Sequence, residues 1–172
     1  VVAALDAGYV SGRPNVLSSR VRSFGVDASY VLSPTPFGLP GLEHGVEVGA
    51  RLHFGHVMTG LRGAFCSSSA NDALYRRVAV NARGGWRFLL FDERLGVTPF
   101  GSVGFKTILR LANARVSGDP FAPSLGAGLL AEGTLFTWLS LWLEGRFEAT
   151  WVQLDGVRVP FAEPVVTAGA TL

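Results

Sequence analysis

Charged residues are scarce in this chain, and lysine is almost missing. Only 16% of the 172 residues are charged, and Lys106 is the single lysine beside 14 arginines. In a typical soluble domain about a quarter of the residues are charged. A dense coat of charge therefore cannot be what keeps this protein dispersed, whereas a surrounding layer of lipid or detergent would do so.

Three further absences limit the folds and the binding partners that are possible for this chain. Cys66 is the single cysteine, so an internal disulfide is impossible. No uncharged stretch approaches the roughly 18 residues that a transmembrane helix needs, and the longest, 28–42, contains three prolines. No basic stripe with interleaved aromatic residues is present, which argues against a nucleic-acid partner. We also expect no cofactor.

The chain does separate its charges by strand parity. In residues 77–88 all three arginines share one parity, while Trp86, Phe88 and the valines share the other. Residues 139–151 repeat the pattern, with both glutamates and Arg146 on one parity and the leucines and Phe147 on the other. Successive side chains of a strand point to opposite faces. Each segment therefore has one charged and one apolar face, which is typical of a transmembrane β-barrel with a polar interior.

The spacing of these segments predicts one domain, residues 1–172, that forms an all-β, antiparallel, up-and-down transmembrane barrel of eight strands. The predicted strands are 1–10, 20–32, 44–67, 75–91, 95–111, 121–133, 137–153 and 163–172. Long polar connections at 11–19, 68–74, 112–120 and 154–162 then share one end, and tight links at 92–94 and 134–136 share the other. The proline-rich connection 33–43 is an exception at the tight end. Short turns at one end and longer loops at the other are usual in outer-membrane barrels.

The predicted third strand contains a switch of parity. Its apolar residues lie on one parity up to Phe54 and on the other from Val57 onwards. The switch at Gly55 and His56 predicts either a β-bulge or a hairpin that makes two strands. Because single-chain bacterial barrels have an even number of strands, we prefer the bulge.

The polar parity of the eight strands predicts a charged lumen. It holds six acids and seven bases, including Asp6, Arg62 and Arg77. The residues expected to form the lumen network are Asp27, Glu47, Arg51, Arg83, Arg87, Lys106, Glu132, Glu144, Arg146 and Glu148. Buried charges are tolerated when they are paired and hydrogen-bonded. The network therefore predicts either a plug of salt bridges or a narrow charged pore. Glycines on the same parity would widen the bore or make room for the arginines opposite.

Aromatic residues cluster near the ends of the predicted strands. The expected membrane-interface residues are Tyr9, Tyr30, Tyr75, Trp86, Trp138 and Trp151. Tyr9, Tyr75 and Trp151 fall near the long-loop ends, whereas Tyr30, Trp86 and Trp138 fall near the short-turn ends. Aromatic residues are enriched at both membrane–water interfaces, so a transmembrane barrel is expected to carry two aromatic belts.

No catalytic or metal-binding set is evident. The three histidines, His44, His53 and His56, all lie on the predicted third strand. His53 shares the polar parity with Glu47 and Arg51, and we interpret it as a member of the lumen network. His53 and His56 point to opposite faces of a regular strand, so we do not predict a metal site. We do not expect an enzyme.

The chain resembles the eight-stranded outer-membrane proteins of Gram-negative bacteria, the group of the OmpA transmembrane domain, OmpX and OmpW. Residues 46–52 and 101–105, with their regular alternation, and a final strand that runs to the end of the sequence carry the resemblance. It implies an integral outer-membrane location and contact with outer-membrane lipids and lipopolysaccharide. Polar residues of the long loops, Arg158 among them, could also bind an envelope protein.

These observations lead to three hypotheses about function. The first is a non-enzymatic outer-membrane barrel with a salt-bridged lumen, acting as a structural or interaction protein of the cell envelope. The second is a narrow channel for small solutes or ions. The third is a soluble, lipocalin-like barrel whose apolar face, with Leu141, Leu143 and Phe147, lines a ligand pocket.

Overall fold

The described residues form a single set of antiparallel strands. The structure is a computed structural model that describes residues 23–35, 41–70, 73–91, 94–111, 121–136, 138–154 and 157–172. Within these ranges no helix is long and apolar enough to cross a membrane. The strands are β1 (Ser23–Pro34), β2 (Leu42–Phe54), β3 (Val57–Ala70), β4 (Ala73–Trp86, continued by Phe88–Leu90), β5 (Leu95–Leu111), β6 (Ala122–Phe136), β7 (Leu139–Leu154) and β8 (Val157–Thr171).

The eight strands close into a barrel. Each strand pairs with its sequence neighbours, and β8 pairs with β1. Stepping from Asp27 on β1 to its paired residue on β2, and so on from strand to strand through β7, leads to Phe161 on β8. Across the closing pair of strands, however, Asp27 pairs with Thr171, which lies ten residues further along β8. This stagger of ten residues tilts the strands, and eight strands enclose a bore just wide enough for side chains to fill. The prediction of an antiparallel eight-stranded barrel is confirmed.

The strands are not the eight that the sequence predicted. The predicted third strand, 44–67, is two strands, β2 and β3, joined by Gly55 and His56. Gly55 has a φ of 63° at the first position of this two-residue turn, as in the type II′ turns of hairpins. The parity switch therefore marks a hairpin, and the predicted bulge is wrong. The predicted first strand, 1–10, lies outside the described residues.

Two of the predicted long connections are mostly strand. β3 runs to Ala70 and β4 begins at Ala73, while β8 begins at Val157, so the predictions of loops at 68–74 and 154–162 were wrong. The reason is that polar and proline-bearing residues were taken for loop, although their backbones pair in register with the preceding strand.

The barrel has two distinguishable ends. The turn end carries the connections at 55–56, 91–94 and 137–138, and the loop end carries those at 35–41, 71–72, 112–121 and 155–156. The hairpin at Gly55 reverses the chain direction. The proline-rich connection after β1, predicted as an exception at the tight end, therefore lies at the loop end.

β4 is interrupted at Arg87 without any change of register. Gly85 pairs with Phe100 and Phe88 pairs with Val97, so Trp86 lies opposite Pro99 of β5. Proline has no N–H to donate to the ladder. On the other side of β4, the N–H of Arg87 donates to the carbonyl of His56 at 2.6 Å. This hydrogen bond connects the β2–β3 turn to β4.

The barrel is apolar outside and charged inside. Val48, Leu143 and Phe147 on the outer face are 56–69% exposed, whereas Glu47, Glu144 and Arg146 are 1–8% exposed. This distribution is the reverse of that in a water-soluble protein. It also contradicts the soluble ligand-binding alternative, because Leu141, Leu143 and Phe147 lie on the outer face instead of lining a pocket.

Candidate functional site: the filled interior

Strand alternation directs one set of charged side chains into the bore. Among the described residues, seven acids and seven bases face inward, so their formal charges balance. Thirteen of the fourteen are buried, and Arg87, at the turn end, is partly exposed. The set is Asp27, Glu43, Glu47, Arg51, Arg62, Arg77, Arg83, Arg87, Lys106, Glu132, Glu144, Arg146, Glu148 and Glu163.

Arg62 and Arg83 form the centre of the interior. Arg62 donates to Glu47 at 2.5 Å and, across the barrel, to Glu144 at 3.0 Å. Arg83 donates to the same Glu144 oxygen at 2.6 Å and to Asp27 at 3.1 Å. Asp27 also accepts from Arg62 at 3.3 Å. These bonds join strands β1, β2, β3, β4 and β7, so they brace the barrel from inside.

Arg146 extends the network towards the loop end. Its guanidinium donates to Glu144 and to Glu148 on its own strand, both at 2.6 Å, and to Glu47 at 3.1 Å. It also donates to the Thr167 hydroxyl at 3.0 Å. Three carboxylates and one hydroxyl thus accept four hydrogen bonds from the planar guanidinium, which has five N–H donors.

A second ionic cluster lies nearer the loop end. Lys106 contacts Glu148 at 2.6 Å and Glu163 at 2.5 Å. Arg77 pairs with Glu43 at 3.0 Å and with Glu163. Glu148 therefore contacts both Lys106 and Arg146, and this carboxylate links the two clusters into one network.

The turn end of the bore holds an apolar cluster beside looser ion pairs. Met58, Phe100, Leu130 and Trp142 pack together and are all buried. The guanidinium of Arg62 lies 4.3 Å from the centre of the Trp142 ring, close enough for a cation–π contact.

The outermost pairs of the turn end are long. Glu132 lies 3.5 Å from Arg51 and 3.6 Å from Arg87. His53 is buried nearby on β2, and its Nδ1 has no hydrogen-bond partner among the described residues. Arg51 is held more firmly by Asp27, at 2.8 Å, and it also donates to the Thr171 hydroxyl.

Inward-facing glycines make room for this network. A methyl group at Gly128 would lie 2.6 Å from the Cβ of Arg146, and one at Gly49 would lie 2.5 Å from the Cγ of Arg62. One at Gly60 would approach Arg83 to 3.3 Å. Of the two roles that the sequence left open for these glycines, the structure shows space for the arginines and not a widened bore. A central void beside Arg62, Arg83 and Glu144 measures only about 10 Å³, roughly what one water molecule needs.

The structure places all ten lumen residues named from the sequence on the inward face, together with Arg62 and Arg77. Asp6 lies outside the described residues. Sequence reasoning missed Glu43 and Glu163, because Glu43 was assigned to a loop and Glu163 to a strand terminus. Extending the parity of β2 and β8 by a few residues would have found both.

The interface aromatics are placed unevenly. Trp86 and Trp138 are exposed near the turn end, and Trp151 lies towards the loop end of β7. Tyr30 is exposed in the loop-end half of β1, stacked 6.2 Å from His44, and not near the short turns where the sequence placed it. The reason is that the missed hairpin inverted the assignment of that strand. Tyr9 and the Tyr75 side chain lie outside what the structure describes.

The histidines do not converge. His44 is exposed on the outer face, His53 faces inward, and His56 sits in the β2–β3 turn, where its Nδ1 lies 3.0 Å from the Arg87 carbonyl. Within the described part of the chain, no three histidine, cysteine or carboxylate side chains are grouped so that they could hold a metal ion.

Comparisons with known proteins address the fold. No protein-family model matches the chain, and no curated protein matches its sequence. The structure is similar to Neisserial surface protein A (NspA), with a TM-score of 0.67 and 12% identity over 87% of this chain and 96% of that one. It is also similar to Ail, the attachment invasion locus protein of Yersinia pestis, with a TM-score of 0.54 and 14% identity over 86% of this chain and 95% of that one. A major outer membrane protein from Thermus thermophilus matches with a TM-score of 0.53 and 13% identity over 86% of this chain and 98% of that one. The chain therefore has the fold of the eight-stranded β-barrels of the bacterial outer membrane.

Proposed function

We propose that the chain is an integral outer-membrane β-barrel that serves as a structural or interaction protein of the cell envelope and is not an enzyme. The observation that carries the proposal is the inversion of polarity, in which seven acids and seven bases fill the bore while large apolar side chains cover the outside. An arginine or lysine facing lipid at the midplane costs about 2–4 kcal/mol, which explains why the charged residues in the middle of the described strands face the interior.

The packing of the interior supports a structural role over a transport role. The central arginines each contact two or more carboxylates, and the void among them is about 10 Å³. A hydrated ion would have to break several buried ion pairs to pass, and removing one partner of such a pair typically costs about 3–5 kcal/mol. We infer a closed barrel, with the narrow channel as the alternative.

The loop end provides the candidate interaction surface. Arg158 of β8 is exposed and Arg76 of β4 is half-buried, and both lie on the outer face near this end. Ail has been solved in complex with the heparin analogue sucrose octasulfate, a polyanionic saccharide. By analogy we propose that phosphate groups of outer-membrane lipids and lipopolysaccharide are partners of these arginines, with an envelope protein as a further candidate partner.

Membrane fractionation followed by gel electrophoresis tests this proposal. We expect the protein in the outer-membrane fraction and a change of mobility between unboiled and boiled samples, because a closed barrel resists detergent until it is heated. Recovery from the soluble fraction, with equal mobility in both samples, would contradict an integral barrel. Because the test needs no ligand, its outcome is independent of which partner binds the loop end.

A further inference from the structure

The charges of the interior balance over the whole bore but not at each level. The central network holds three carboxylates and three guanidinium groups, those of Asp27, Glu47, Glu144, Arg62, Arg83 and Arg146. The cluster nearer the loop end holds three carboxylates and two cationic groups, those of Glu43, Glu148, Glu163, Arg77 and Lys106. At the turn end only Glu132 accompanies Arg51 and Arg87. The formal charge of the described side chains therefore changes from −1 near the loop end, through zero, to +1 at the turn end.

Arg51, His53, Arg87 and Glu132 form a group that we call the turn-end layer. Both guanidinium groups approach the same Oε2 atom of Glu132, at 3.5 and 3.6 Å, whereas N–H···O hydrogen bonds are usually about 2.7–3.2 Å long. A second carboxylate that Arg51 contacts, that of Asp27, is shared with the central network. The cations of this layer are therefore less closely paired than those of the centre.

The turn-end layer is short of hydrogen-bond acceptors. Four of its buried side-chain atoms have no hydrogen-bond partner among the described residues, namely Nη1 of Arg51, Nδ1 of His53, Nε of Arg87 and Oε2 of Glu132. The arginine nitrogens can only donate, and the Nδ1 of an imidazole donates when it carries the proton. Because buried polar groups of folded proteins are almost always hydrogen-bonded, three nitrogens around one carboxylate oxygen indicate a place for an additional acceptor.

The turn-end layer is reached from the turn end of the bore. Arg87 is its most exposed member, with 18% of its side chain accessible. The Arg87 guanidinium lies against β5 at Gly96, where an added methyl group would be 2.7 Å from Nε, and Gly96 pairs with Glu132. Towards the centre, the bore is filled by the apolar cluster around Met58 and Trp142 and by the central network. An anion that enters from the turn end would therefore stop at this layer.

We propose that the turn-end layer binds one small inorganic anion of the phosphate type from the aqueous phase at the turn end of the barrel. The oxyanion would accept hydrogen bonds from Arg51, His53 and Arg87 and would offset the formal charge of +1. Guanidinium groups suit such a ligand because their planar fork of donors matches the oxygens of phosphate. Since the layer lies inside the bore, the anion comes from solution and not from the lipid. The inference does not depend on which partner binds the loop end.

A phosphate titration of the folded protein tests the site. The protein is folded in micelles of dodecyl maltoside, a detergent without charge or phosphate, and inorganic phosphate replaces the larger anion gluconate at constant pH and ionic strength. NMR follows the imidazole signals of His53 and His44 and the Nε–H signal of Arg87. We expect saturable shifts at His53 and Arg87 and none at His44, which lies on the outer face.

Three variants separate this site from a general attraction of anions to the turn end. Arg87→Gln should abolish the His53 shift. Gly96→Ala keeps every charge but crowds the Arg87 guanidinium, so it should weaken phosphate binding. Arg94→Gln removes an exposed arginine at the same end, outside the turn-end layer, and should leave the His53 shift intact.

Glu132→Gln is a further test, because its predicted effect has the opposite direction. It removes the carboxylate with which phosphate competes and raises the formal charge of the layer from +1 to +2, so phosphate should bind at least about tenfold more tightly. Equal or weaker binding in this variant overturns the inference, as does the absence of a saturable shift in the parent. A His53 shift that persists in Arg87→Gln, or that is lost in Arg94→Gln as well, indicates general attraction and also overturns it.

Discussion

Glu144 is the residue on which the interior depends most. It accepts hydrogen bonds from Arg62 at 3.0 Å, Arg83 at 2.6 Å and Arg146 at 2.6 Å, on three different strands. Glu132, by contrast, has ion pairs of 3.5 and 3.6 Å, and no described residue donates a hydrogen bond to its Oε2. The two glutamates therefore allow a direct comparison of a tight and a loose buried carboxylate.

Replacing Glu144 with glutamine should destabilise the barrel by about 3–5 kcal/mol, because it leaves buried guanidinium groups short of a counter-charge. Urea unfolding in detergent micelles, followed by tryptophan fluorescence, measures the loss. Glu132→Gln is the matched control, and its loss should be clearly smaller. Equal losses in the two variants would contradict a special role for the central network.

The glycines that face the arginines give a second prediction at this scale. Gly128→Ala should destabilise the barrel by about 1–3 kcal/mol, since the new methyl group would lie 2.5 Å from the carbonyl oxygen of Gly145 and 2.6 Å from the Cβ of Arg146, so that β7 must shift. Gly145→Ala is the control on the neighbouring strand, because no described residue lies within 4 Å of a methyl group there. Its effect should stay within about 0.5 kcal/mol. A Gly128→Ala variant as stable as Gly145→Ala would show that the close packing of β7 against Gly128 does not require a glycine there.

At the scale of single elements, the first hairpin shows what local pattern can and cannot decide. The switch of apolar parity between Phe54 and Val57 was visible in the sequence, but a bulge and a two-residue turn both produce it. Gly55 favoured the turn, as glycine supplies the positive φ that a type II′ turn requires. The rule of even strand number misled the choice, because it was applied together with a predicted strand at 1–10 that is not among the described strands.

Gly55→Ala should destabilise the barrel by about 1–2 kcal/mol, the cost of placing a Cβ in the left-handed region. The φ of Gly55 is 63°, and no described residue lies within 4 Å of the added methyl group, so the loss is purely conformational. Gly133→Ala provides the control, since that position is equally open but has no positive φ. Equal urea midpoints for the two variants would refute the turn assignment.

Strand ends were predicted less well than strand faces, for a physical reason. Alternation follows from the geometry of every strand, so it identified the inward positions of β4 and β7 correctly. The ends depend on where backbone pairing stops, and polar or proline-containing sequence such as 157–162 can still pair on one side. Which arginine meets which carboxylate depends on the stagger of the closed barrel, and no single segment contains that information.

At the scale of the whole molecule, the barrel combines an apolar exterior with a balanced ionic interior. The network of Asp27, Glu47, Glu144 and their arginines links strands that are far apart in sequence and joins opposite walls of the bore. A barrel braced in this way is expected to be closed to ions. Closure to ions separates a structural or interaction protein from a channel with the same fold.

Ion conductance of the folded protein in planar lipid bilayers tests whether the barrel is closed. We predict no stable single-channel conductance, because ion pairs of the described residues bridge the bore and the void among them measures only about 10 Å³. A stable conductance whose ion selectivity changes in Arg83→Ala or Arg87→Ala would contradict the account and establish the narrow channel instead.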